Sequence, residues 1–289
     1  MLQFFTDTDT DLTPEVAKQY NCRLISMPYS IEGRTVYPYA DGGSFDFHGF
    51  YDQLREGVLP NTSALSKDQY IQYFEPCFAR GDDILYVHFS RAMTATFDSK
   101  DQAMAELREK YPERKFYEVD TKGITTISYT IVRTVGDLLK AGKTPEEILD
   151  WAKTEVDKYA MYFFADDLKF FKHSGRVSGL AGTMGTLLGI RPIIHMSQEG
   201  KMVSIGKEKG RQKAVDRLIS YVEELGDEVC AHRICIGHTD APEIADQVAQ
   251  ALKAKFGDKL EPEIVCVNPT AGAHCGPNGV GVCFHAVHR

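Results

Sequence analysis

Short apolar runs alternate with amphipathic stretches along the whole chain, and this alternation constrains the fold more than any single motif. Leu2 to Thr6 reads as a first strand, and Thr13-Pro14-Glu15 supplies an N-cap followed by proline at the first helical position. Asp83 to Phe89 has the continuous apolar character of a buried parallel strand; a helix from about Thr94 to Lys110 and a strand at Lys115–Val119 follow it. Ser66 with Gln69, and Thr144 with Glu147, have capping-box spacing and open two further helices. Beyond these, strands are expected at Arg191–Met196, Met202–Ile205, Ala231–Ile236, Glu263–Val267 and Val280–Val287, with helices over 209–225 and 241–255. Such a pattern predicts an α/β fold. With no repeat and no low-complexity linker, pattern alone divides the chain near residue 160. The expectation is an N-terminal α/β lobe with a parallel sheet (1–160), a C-terminal α/β lobe with a mixed sheet (161–289), and a ligand cleft between the two lobes.

A chain of 289 residues can bury a core without metal or disulfide staples. A net charge of −8 argues against broad binding to nucleic acid or anionic membranes. No stretch reaches the roughly 18 apolar residues of a membrane span, and Asp7 comes too soon for a signal peptide. The seven cysteines form no CxxC pair, so they read as reduced thiols in a cytoplasmic protein. His232, Cys235 and His238 are the best metal candidates, but strand alternation sends Cys235 to the face opposite the histidines, and no metal is expected.

Common enzyme signatures fail on spacing. Gly142-Lys143-Thr144 lacks the earlier P-loop glycine, since Gly136 is one residue off, and Arg176 stands where a nucleophile elbow needs its first glycine. Cys275 has no cation in the residues that follow to lower its pKa. Asp9-x-Asp11-x-Thr13 matches the motif of aspartate-based, magnesium-dependent phosphotransferases, the alternative reading of this chain. Against it, Asp9 lies several residues past the apolar run. Asp7, Asp9 and Asp11 read instead as polar turn residues and N-cap candidates ahead of the Pro14 helix.

What remains is a set of hydroxyls at strand-to-helix turns: Thr62 and Ser63 in a loop, and Ser90, Thr94, Thr96 and Ser99 after the strand ending at Phe89. Amides at a helix start, with hydroxyls beside them, can hold a carboxylate without a cation. Two basic runs, Lys169–Arg176 and Lys201–Arg217, interrupt the acidic total, and between them lies a glycine-rich stretch, Gly179–Gly189, suited to close approach or to a ligand.

In order along the chain, Thr6-Asp7-Thr8-Asp9-Thr10-Asp11-Leu12, Asn61-Thr62-Ser63, Ser90 to Ser99, Leu168 to Ser178 with Leu187 to Ile193, and His274-Cys275-Gly276-Pro277-Asn278-Gly279 resemble the motifs of the DegV family of fatty-acid-binding proteins. The resemblance implies two α/β lobes clasping one long-chain fatty acid, with no catalysis of their own. It implies a lipid-binding subunit that presents the carboxylate to a separate fatty acid kinase for acyl-phosphate formation, a step in phospholipid metabolism. By that resemblance Thr62, Thr94 and His274 hold the carboxylate, with Ser63, Ser90 and Gly276 as secondary contacts. By it too, Arg176 faces the kinase catalytic subunit, while Lys207 and Arg211, from the second basic run, are expected to add a weaker, salt-sensitive part of partner affinity. The fatty acid is then the only ligand: no cofactor, no metal, no nucleic acid, and at most transient membrane contact. Thr94-Ala95 stands where the family commonly has Ser-Gly, and His88-Phe89 adds bulk before it.

Overall fold

The computed structural model describes residues 1–179 and 189–289, so the interior of the glycine-rich stretch, 180–188, lies outside the described residues. In chain order the first half contains β1 (Leu2–Asp7), α1 (Pro14–Gln19), β2 (Cys22–Ile25), β3 (Tyr29–Ile31), β4 (Arg34–Val36), α2 (Phe47–Arg55), β5 (Asn61–Thr62), α3 (Lys67–Ala79), β6 (Asp83–His88), α4 (Thr96–Lys110) and β7 (Phe116–Asp120). There follow α5 (Thr126–Lys140), α6 (Pro145–Glu155), β8 (Tyr159–Phe164), α7 (Lys169–Ser174), β9 (Val177–Ser178), β10 (Ile190–Met196), β11 (Met202–Lys209), α8 (Arg211–Leu225), β12 (Cys235–His238), α9 (Pro242–Phe256), β13 (Glu263–Cys266), α10 (Pro269–Cys275) and β14 (Val280–His285).

Two sheets organise these elements. The first is parallel throughout, in the order β2-β1-β6-β7. The second is mixed, in the order β13-β12-β14-β8-β10-β11-β9, with parallel pairs only at β12–β13 and β9–β11. The chain is therefore an α/β protein of two lobes. The expected division at residue 160 falls inside β8, whose six residues all pair with β14.

Helix α5 lies between the two sheets. Its first seven residues, Thr126 to Val132, are all buried, and Thr130 satisfies its hydroxyl on the Thr126 carbonyl at 2.8 Å. Gly237 of β12 permits this close approach: a Cβ there would sit 2.5 Å from the Thr126 methyl group. The other face of the mixed sheet is closed by Leu218 and Val222 of α8 and Val248 and Leu252 of α9.

Several elements differ from the sequence reading. The strand expected over 231–236 begins only at Cys235, because His232 sits in the preceding turn, stacked on His285 at 3.9 Å. Thr62 is not in a loop but in β5, which pairs with β3 in a small three-stranded sheet with β4. A two-residue strand is too short for any periodicity to reveal. The acidic run is not a row of caps for α1, whose N-cap is Thr13. Asp7 instead caps a 3-10 turn at Thr8–Thr10, while Asp11 accepts from the Asn268 amide and side chain, both at 2.8 Å, tying the turn to the start of α10.

Candidate functional site

Parallel α/β sheets bind ligands beyond the carboxyl ends of their strands, where backbone groups are unpaired and loops diverge. In this chain those ends carry Asp9 after β1, Phe89 and Thr94 after β6, and Ile124 after β7. With Thr62 and Ser63 from β5 and its loop, Arg176, and Thr270 and His274 from α10, they line a cleft of about 760 Å³ measured out to its open mouth.

The fold brings Thr62 and His274 together across 212 positions: Thr62 Oγ1 and His274 Nε2 are 3.1 Å apart. Burial, reinforced by the charges of Arg176 and His173, pushes the imidazole down to about 4, so it is neutral near pH 7. His274 Nδ1 is buried with no partner among the described residues. A bare lone pair there costs less than a stranded N–H, so the favoured tautomer carries its proton on Nε2 and donates to Thr62. That frees the Thr62 hydroxyl to donate into the cleft. Thr94 Oγ1 accepts from the Thr96 amide at 3.1 Å, which likewise leaves its own proton available. Ser63, exposed at the mouth, adds a third hydroxyl.

Two expected contacts do not belong to this wall. The buried Ser90 hydroxyl donates to the Gly200 carbonyl at 2.8 Å and accepts from the Ala92 amide, so it links the lobes instead. Gly276 ends α10 with φ 72°, and a Cβ there would meet the Phe170 ring at 2.2 Å; its small size serves packing. Of the basic residues, Arg176 is exposed on the cleft rim and donates to the Ser174 carbonyl at 2.6 Å. Lys207 lies exposed on β11 and Arg211 at the start of α8, 3.6 Å from Asp166; neither lines the cleft. His88 turns away from the cleft, its ring nitrogens on the Phe89 carbonyl and Glu118, whereas Phe89 and Ala95 are part of the wall.

Adjoining the cleft is a second, strongly apolar chamber, about 450 Å³ when measured out into the open solvent at its mouth, with walls that include Met161 and Phe163 of β8, Met202, Val267 and Val280. Ile124 belongs to the walls of both spaces. No motif marked Ile124, Met161 or Phe163 in the sequence, and no strand was expected over Tyr159–Phe164. Cys275 also lines the chamber, and burial pushes its thiol up to about 12, which removes it as a nucleophile. The three carboxylates of the acidic run turn to different partners: Asp7 to Tyr86 and the Phe89 amide, Asp11 to Asn268, and Asp9 to the cleft. That divergence does not favour a shared magnesium site on Asp9 and Asp11.

A parallel lobe and a mixed lobe joined through α5, with a polar cleft beside an apolar chamber, define a two-lobed α/β fold with a candidate ligand cleft. The chain belongs to the DegV family of uncharacterised proteins, whose model it matches over residues 1–287. A DegV domain-containing protein of Clostridium perfringens is 30% identical over 280 residues, covering 97% of this chain and 96% of that protein. Among solved structures, a fatty-acid-binding DegV family protein of Streptococcus agalactiae superposes with a TM-score of 0.83 at 25% identity, covering 99% of each chain. A DegV family protein of Eubacterium eligens loaded with heptadecanoic acid shares the fold with a TM-score of 0.85 at 20% identity, covering 99% of this chain and 100% of that one.

Proposed function

We propose that this protein binds one long-chain fatty acid, with its carboxylate beside Thr62, Thr94 and His274 and its acyl chain in the apolar chamber. The observation that carries this reading is the shared wall at Ile124, where a donor-rich cleft abuts a chamber with almost no polar surface. Each buried methylene contributes roughly 0.8 kcal/mol, whereas a hydrogen bond to a charged group contributes about 1.5–3 kcal/mol. The chain therefore sets affinity and the hydroxyls set which end faces out. The relatives described as binding fatty acids support the class of ligand. Seven free cysteines fit a cytoplasmic setting, and no described helix is long and apolar enough to cross a membrane.

Thr94→Val keeps the shape but removes one donor, so fatty acid affinity should fall by roughly ten- to a hundredfold. Titration calorimetry with the variant and the wild type reads this directly, and equal affinities would reduce Thr94 to a cap.

The finer role is that of a carrier without catalysis, which presents the carboxylate to a separate fatty acid kinase. A carboxylate held by hydroxyls, with the neutral His274 imidazole orienting Thr62 behind them, can be released to a partner more readily than one locked in a buried salt bridge. Arg176, exposed on the rim, has the bidentate fork to steady a phosphate or dock an acidic partner. In an assay with kinase and ATP, Arg176→Ala should lower acyl-phosphate formation by at least about tenfold, far more than it lowers fatty acid affinity. Lys207 and Arg211 should contribute a smaller, salt-sensitive part of partner affinity. Equal losses of binding and turnover in Arg176→Ala would make it a ligand contact only.

A further inference from the structure

Asp9 is 3% exposed, yet it forms part of the cleft wall beside Thr270 and His274. Its backbone is fixed, since the Asp9 carbonyl accepts from the Thr125 amide at 2.8 Å and its own amide donates to Asp7. Its carboxyl is not used in the same way. Oδ1 is buried with no hydrogen-bond partner among the described residues. The groups around it are Asp7 and Asp11 from the same turn, Tyr70 from α3, and the Thr270 hydroxyl and the neutral imidazole of His274 from α10. Arg176 stands at the exposed rim of the same cleft. Burial first, then the charges of Asp7 and Asp11, outweigh the opposing hydrogen bond of the Thr270 hydroxyl and raise the Asp9 pKa well above the ordinary carboxylate range.

An ionised carboxylate here would repel a fatty acid head group at close range in a setting that screens charge poorly. A neutral carboxyl would do the opposite, because it offers an O–H to an oxyanion. We propose that Asp9 is a further head-group residue: its carboxyl meets the fatty acid carboxylate in the protonated form, the two sharing one proton, so that binding weakens as the solution becomes alkaline. The inference rests on the fatty-acid reading of the cleft. Two adjacent carboxyls sharing one proton is the arrangement that like-charge repulsion enforces elsewhere. The sign follows from proton linkage. Where free Asp9 is already protonated, binding takes up no proton and affinity is flat. Where free Asp9 is ionised, binding must take up one proton, and affinity falls by up to about tenfold per pH unit.

The test measures dodecanoate binding below its micelle concentration, between about pH 6 and pH 9.5, a range over which the free ligand stays ionised. The expected result is a wild-type affinity that declines toward the alkaline end. Asp9→Asn, which keeps a neutral donor in place, should flatten that decline. Asp9→Ala should bind about ten- to a hundredfold more weakly than Asp9→Asn at pH 7, because the donor is gone. A wild type that is flat across the range, an Asn variant that declines as steeply as the wild type, or equal affinities for the Asn and Ala variants would each overturn the assignment. Failure of the wild type to bind dodecanoate at any pH would overturn the fatty-acid reading as well, whereas pH-independent binding overturns only the role of Asp9.

Discussion

Ile124→Trp should remove the dependence of affinity on acyl chain length. In the wild type each added methylene that reaches the chamber should tighten binding by up to about fourfold, which is the equivalent of roughly 0.8 kcal/mol. Ile124 is buried and forms a wall of both the cleft and the chamber, so an indole there closes the space through which the chain would pass. Head-group contacts would remain, but the chain would have no apolar space to enter. Across a series from eight to sixteen carbons, the longest ligands should lose at least about a thousandfold in affinity. Overpacking at the site should cost about 1–3 kcal/mol of stability, which thermal melting can check separately. A variant that binds hexadecanoate as tightly as the wild type would mean that the acyl chain lies elsewhere.

The second large effect concerns stability. Lys100 on α4 is 1% exposed, and its ammonium reaches Glu118 of β7 at 2.6 and 2.7 Å. His88 Nε2 lies 2.9 Å from the same carboxylate and Arg91 Nη1 lies 3.1 Å from it. Burial alone would push the Glu118 pKa up, but the hydrogen bonds and charges of His88 and Lys100 outweigh it and hold the group well below its usual range. Glu118→Ala strands the buried ammonium, and breaking such a pair costs about 3–5 kcal/mol. The lower end is expected, because Asp101 still reaches Lys100 at 2.6 Å. Urea unfolding should show this loss, and a change under about 1 kcal/mol would make the network ornamental. The pH dependence has a definite sign. A carboxylate whose pKa is depressed by folding stabilises the protein above its unfolded value of 4.5, and that contribution is lost as pH falls through and below it. The variant should lack this part of the acid destabilisation.

How far the sequence carried these conclusions follows from the length scale of each feature. The strand at Asp83 was legible as a continuous apolar run, and the helix ending at Lys110 because it extends over fifteen residues. The strand β5 and the helix α10 have two and seven residues, and no period can be read from them. Thr62, Thr94 and His274 were expected at the site from motif resemblance, and the fold brings all three to one cleft. Ser90 and Gly276 carry motif positions too, but one hydroxyl is engaged by Gly200 and the other position is packed under Phe170. Asp9 was read as a turn residue because an acidic run before a helix is usually solvated or capping. All three are buried, and only its place on the cleft wall separates Asp9 from Asp7 and Asp11. The Lys100–Glu118 pair was invisible, since charged residues at such positions read as surface until the fold encloses them.

The most direct test of the central claim is mass spectrometry of an organic extract from the purified protein, with titration of added hexadecanoate into the delipidated form. The account predicts about one long-chain fatty acid per chain in the extract, and saturable uptake of about one equivalent by the delipidated protein, as a single cleft requires. An extract free of lipid, together with delipidated protein that takes up no hexadecanoate, would contradict it.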